Sequence, residues 1–150
     1  MLKKLSVATL LLASAGAWAA GNDMLTVSGL ANGANSKAAF ARMAQGHRLP
    51  AWIAQGGTGS PARTVTLGAE TWQAIGACKP HNCSAERVAI LWSAEKKIMA
   101  GVYSTVDEKS AQEKLVWMNV SDDLAIDGKT VLYATLTGSL ENHPDAFNYK

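Results

Sequence analysis

The strongest constraint on this chain is a six-residue segment, Cys78-Lys79-Pro80-His81-Asn82-Cys83, which contains both of its cysteines. In an exported chain the two thiols oxidise to one bridge, and the pairing is unambiguous. A loop this short removes little unfolded-chain entropy, on the order of 2 kcal/mol. Local stiffness is therefore what the bridge offers. Strand-like runs lie on either side: Thr71-Trp72-Gln73-Ala74-Ile75 before it and Arg87-Val88-Ala89-Ile90-Leu91-Trp92 after it. The segment reads as a hairpin tip projecting from a sheet, with Lys79, Pro80, His81 and Asn82 at its crown.

Export is indicated by the first residues. Lys3 and Lys4 precede an apolar or small run, Leu5 to Gly16, and Ala17-Trp18-Ala19 fits an A-x-A cleavage site. Residues 1–19 are read as a secretory signal and 20–150 as one domain. The apolar run is shorter than the roughly 20 residues of a spanning helix, so no membrane anchor is expected. The signal carries no lipobox cysteine, and the expected compartment is the periplasm. Removing Lys3 and Lys4 takes the basic count from 14 to 12, against 12 acidic residues, so the mature chain is close to neutral. No basic block interleaves with aromatics, so a nucleic-acid partner is not expected.

The remaining pattern is mixed. Asn22 to Asn35 is polar and glycine-containing, with a short apolar patch at Met24, Leu25 and Val27. Asn35 or Ser36 can cap a helix over Lys37 to Ala44 that buries Phe40, Met43 and Ala44 and stops at Gly46. Gly56 to Pro61 reads as a flexible loop. Thr64 to Leu67 and Ile98 to Tyr103 read as further strands; Ser110 with Glu113 resembles a capping box, yet Leu115 to Val120 also suits a strand, and the strand reading is taken from Lys114 onward. Val131, Leu132, Thr135, Leu136 and Leu140 recur at helical spacing, which predicts a closing helix up to Gly138. Phe147 and Tyr149 are expected to dock the tail. Helix, antiparallel strands and helix in that order make an α+β domain.

Catalytic patterns are missing. The sequence contains no G-x-S-x-G elbow, no phosphate-binding G-x-x-x-x-G-K loop and no H-E-x-x-H helix. His47, His81 and His143 stand outside any recognisable catalytic context. Asp107-Glu108 and Asp122-Asp123 fall in polar turns, where a solvated surface is the simpler reading. Cys78, His81 and Cys83 do not have zinc-ligand spacing and lack a fourth partner. Four residues between the cysteines, where thioredoxin-like sites have two, argue against redox catalysis. No enzyme activity, metal or cofactor is expected. Trp52, Trp72, Trp92 and Trp117 are read as core. Pro80 and the bridge both remove freedom from the tip and so lower the ordering cost of binding, which favours a preorganised binding loop over a bare structural clip.

Longer blocks carry a resemblance: Lys37-Ala38-Ala39-Phe40, Leu49-Pro50-Ala51-Trp52, Thr64 to Gly68, Gln112 to Leu115, Ile126 to Leu132 and Leu136 to Asp145, together with the cysteine loop. In these the chain resembles the Ivy family, periplasmic inhibitors of vertebrate-type (C-type) lysozyme. The resemblance implies a central antiparallel β-sheet flanked by helices, a protruding disulfide-closed loop and, commonly, a homodimer. It also implies that His81 enters the lysozyme cleft between the two catalytic carboxylates. Lys79 would then add positive potential towards that acidic cleft, and Pro80 would fix the approach. The family loop carries aspartate where this chain has Asn82, which keeps an acceptor, adds a donor and drops a charge. Retained inhibition with altered pH dependence is the expectation. The alternative is a periplasmic envelope-binding module or enzyme for which lysozyme inhibition is incidental.

Overall fold

The computed structural model describes residues 24–150, so the signal and its cleavage site lie outside the described residues. Three short helices come first: α1 (Val27–Asn32), α2 (Lys37–Ala44) and α3 (Trp52–Gln55). Six strands follow: β1 (Thr58–Gly59), β2 (Arg63–Leu67), β3 (Glu70–Cys78), β4 (Glu86–Ser93), β5 (Ile98–Asp107) and β6 (Gln112–Met118). A 3₁₀ turn at Asp122–Leu124, helices α4 (Asp127–Thr137) and α5 (Ser139–Asn142), and a second 3₁₀ turn at Pro144–Phe147 close the chain.

All strand pairs are antiparallel. β3, β4, β5 and β6 neighbour one another in order, while β1 and β2 share the free side of β3. Helices cover both faces. Trp72, Ala74, Ala89, Leu91, Ala100 and Val102 pack against Val131, Leu132 and Leu136 of α4. The opposite side chains, Ile75, Val88, Ile90, Trp92 and Met99, pack against Leu30, Met43, Trp52 and Ile53 from the first three helices. Period-2 alternation sends neighbouring residues to opposite faces. A strand buried on both faces must therefore be apolar at consecutive positions, as Val88 to Trp92 is.

Two segments differ from the sequence expectation. The stretch read as polar contains α1, whose start is held by Thr26 Oγ1 accepting from the Gly29 N–H at 3.0 Å. Its apolar side chains are few, and Val27 and Leu30 anchor it mainly against α2 and α3, with β3 behind them. The loop read as flexible contributes β1, which pairs with the last two residues of β3 (Thr58 with Cys78, Gly59 with Ala77). Within α2 the buried residues are Ala39 and Met43, with Phe40 and Ala44 half-buried. Ser36 sits at its N-cap position, but its hydroxyl donates to the Leu30 carbonyl, stitching α2 to α1. The tail docks as expected. The Tyr149 N–H donates to the Thr66 carbonyl and its own carbonyl accepts from the Gly68 N–H, which covers the outer edge of β2.

Candidate functional site

β3 ends at Cys78, directly opposite Arg87 of β4, so the residues between them form the hairpin tip. The disulfide joins Cys78 to Cys83 with the Cα atoms 4.8 Å apart. Inside the ring the chain makes one tight turn, with the Asn82 N–H donating to the Lys79 carbonyl at 3.0 Å. Pro80 occupies the first central position, and His81, with φ of 62°, the second. That combination is a type II turn, in which proline presets the first corner and the second requires positive φ. Histidine tolerates this region better than most residues, although glycine would be easier. The turn thus displays His81 and Pro80 outward, both exposed, while Lys79 and Asn82 are half-buried.

The two legs of the loop are tied to the body separately. On the first leg, the Lys79 N–H donates to the Glu86 carbonyl at 3.0 Å, and its ammonium reaches Glu86 Oε1 at 2.5 Å. The other oxygen of that carboxylate accepts from Tyr103 OH of β5 at 2.7 Å and from Trp52 Nε1 of α3 at 3.1 Å. The Lys79 ammonium, then the Tyr103 hydroxyl and the Trp52 indole, hold the Glu86 carboxyl below its ordinary range against the opposing effect of burial. Burial, reinforced by the neighbouring carboxylate, raises the Tyr103 phenol in turn. On the second leg, Arg87 Nε donates to the Cys83 carbonyl at 2.8 Å, and the same guanidinium reaches the Leu136 carbonyl of α4 at 3.4 Å.

The root of the loop is also sterically fixed. A Cβ on Gly57 would lie 2.7 Å from the Cys78 carbonyl oxygen and 2.8 Å from the Trp52 ring, so only glycine lets this segment lie against β3 here. Behind the loop a cavity of about 410 Å³ opens between β3, β4 and α4. Of its cations, Arg87 is engaged by the two carbonyls, whereas Arg63 comes no nearer to Glu141 than 4.0 Å and its buried Nε has no hydrogen-bond partner among the described residues.

All the residues singled out from the sequence, Cys78, Lys79, Pro80, His81, Asn82 and Cys83, therefore lie on one braced tip. His47 and His143 are exposed and far along the chain from it. Among the described residues no cluster of three histidines, cysteines or carboxylates could hold a metal ion. No helix of the described residues is long and apolar enough to cross a membrane. Trp52, Trp72 and Trp92 are core; Trp117 is half-buried under the Lys129 ammonium, 5.3 Å from the ring centre. Sequence reasoning missed Glu86, Arg87, Tyr103 and Trp52 as supports of the loop. One signal was available: Glu86 and Arg87 open a strand whose next five residues, Val88 to Trp92, are apolar, so both charges fall on registers that are buried further along.

Comparison with known proteins places the chain in a family. The chain is 58% identical over 145 residues to the inhibitor of vertebrate lysozyme of Escherichia coli K12, covering 97% of this chain and 90% of that protein. The same figures hold for the protein of that name from Escherichia coli O157:H7. An uncharacterized protein of Yersinia pestis is 37% identical over 75 residues, about half of each chain (49%). Residues 35–136, which include the whole braced tip, match the family model described as inhibitor of vertebrate lysozyme, and the chain belongs to this family, Ivy.

Proposed function

We propose that the mature chain is a stoichiometric protein inhibitor of C-type lysozyme. It acts in the periplasm, after removal of residues 1–19, as a homodimer. In this reading the Cys78–Cys83 loop enters the active-site cleft and lodges His81 between the two catalytic carboxylates. The observation that carries the proposal is the exposed His81 on a covalently closed, doubly tied turn, in a chain so similar to proteins named for this activity.

The chemistry is simple. Lysozyme needs one carboxyl kept protonated and one kept ionised on either side of the scissile bond. A flat imidazole has two ring nitrogens pointing in different directions, so one ring can hydrogen-bond to both acids at once. Once it does, neither acid reaches sugar or water. No covalent step is required and the inhibitor is not a catalyst. Pro80 and the bridge restrict the tip before contact, so less conformational freedom is lost on binding. Asn82, half-buried at the base of the turn, offers its amide to the rim of the cleft or to the loop itself.

The test is clearing of bacterial cell walls by a C-type lysozyme, followed as turbidity, with and without the purified mature chain. Near-stoichiometric loss of clearing is expected. Undiminished clearing at a large molar excess of a folded, oxidised chain would dispose of the proposal.

A further inference from the structure

We propose that Glu86 is the positioning residue of the inhibitory loop, and that Lys79 is its clamp and not a cation offered to the partner. This inference rests on the reading of the loop as the inhibitory surface. Glu86 is the first residue of β4, and its carboxylate collects donors from three separate elements: Lys79 in the loop, Tyr103 in β5 and Trp52 in α3. Tyr103 and Trp52 belong to the packed body of the domain. Any displacement of Glu86 is thus resisted by the core, and that resistance is passed to the loop through Lys79.

Lys79 is gripped twice by the same residue, through its backbone N–H and through its ammonium. Its side chain is 41% exposed and that of Glu86 only 18%, so the pair lies at the margin of solvent with the acid on the inner side. Charge-assisted bonds of this kind are stronger and better directed than neutral ones. The pair is also locally neutral. The Lys79 charge is largely spent on Glu86, and the tip meets its target as an imidazole and a proline ring without a free ammonium beside them. The residue immediately before Pro80 is thereby fixed, and with it the plane of the turn that aims His81.

The two possible roles of Lys79 predict opposite signs for one substitution. Glu86→Gln releases the ammonium while its amide still offers Tyr103 and Trp52 a carbonyl. If Lys79 is a clamp, Glu86→Gln loosens the loop and weakens inhibition. If Lys79 is a contact for acidic groups, freeing it leaves inhibition unchanged or strengthens it. The experiment uses the full mature, oxidised chain with Glu86→Gln, Lys79→Met and the double variant, measuring inhibition constants and backbone amide exchange of the free proteins. We expect each single variant to inhibit about 10-fold less tightly, and the double variant to be no worse than the weaker single. The amides of Lys79 and Asn82 should exchange faster in both singles, with the amides of β4 and β5 unchanged; a general loss of structure would quicken those too. Unchanged or tighter inhibition by Glu86→Gln, or multiplicative losses in the double variant, would overturn the proposal. Should the parent chain fail to inhibit lysozyme, the proposed function falls. The exchange rates then still decide the clamp, and Lys79→Met, at the solvent margin, supplies that reading even if Glu86→Gln fails to fold.

Discussion

Two hairpin tips stand side by side at one end of this sheet and are built by different means. The β5–β6 tip, residues 108–111, is held by the side chain of its first flanking residue: Asp107 Oδ1 accepts from the N–H groups of Lys109 at 2.8 Å and Ser110 at 3.1 Å. Ala111 takes the positive φ that completes the turn. That is ordinary local turn chemistry, and it suffices to reverse the chain. The β3–β4 tip reverses the chain with two local turns, one at Lys79-Pro80-His81-Asn82 with positive φ at His81 and one in which the Asn82 carbonyl accepts from the Ala85 and Glu86 N–H groups. It then adds a disulfide, an ion pair anchored in the core and an arginine strap to α4. Chain reversal needs none of these additions. The surplus holds an orientation, which the proposed insertion of the tip into a cleft would use.

The comparison can be broken most sharply at His81. Replacement by asparagine, which also tolerates left-handed φ, should weaken inhibition by about 100-fold or more, since central interface anchors carry most of the energy; melting temperature should hardly move. Next comes the bridge. Replacing both cysteines by serine should reduce stability by about 2 kcal/mol in chemical denaturation and weaken inhibition, while amide exchange at the β5–β6 tip stays as it was. Third is Tyr103→Phe, which removes one donor from Glu86 and should cost about 1 kcal/mol of stability with a few-fold weaker inhibition.

Acid should separate wild type from Glu86→Gln. Because the folded carboxyl is held below its ordinary value of 4.5, its contribution is fully present above that value and is lost as pH falls through the lower, folded one. Unfolding curves recorded from pH 6 down to pH 3 should therefore fall more steeply for wild type. The smallest effects belong to Asp107→Ala, which should fray its own tip and leave inhibition untouched, and to Asn82→Asp, for which inhibition is retained with a displaced pH profile. Superimposable pH profiles for Asn82→Asp and wild type would show that the side chain at that position is electrostatically silent.

Much of this molecule was legible because its strands and final helix carry strong local signals. Val131, Leu132 and Leu136 fall on one helical face whatever surrounds them, and Gly138 ends the helix with φ of 80°. The cysteine spacing fixed the loop, and the alternation around it fixed the hairpin. What could not be read was contextual. α1 is six residues with two buried side chains, too short to be stable or recognisable without α2 and α3 to pack on. β1 is two residues whose pairing depends on the close approach that Gly57 allows. The Glu86 network joins residues 34, 17 and 7 positions apart, and no window along the chain contains it. The crown of the loop was visible in the sequence; its foundations were not.

Burial of β4 on both faces has a consequence for how the chain finds its pairing. A strand with a wet side and a dry side carries its own compass, because a slip by one place turns grease outward. Val88 to Trp92 offers no such contrast, and sliding it would exchange one set of apolar neighbours for another. Direction must come from rarer landmarks, and the single carboxylate at the mouth of the strand is one: only one placement gives it an ammonium, a phenol and an indole together. The group that steadies the finger would thus also tell the hand which way up to fold.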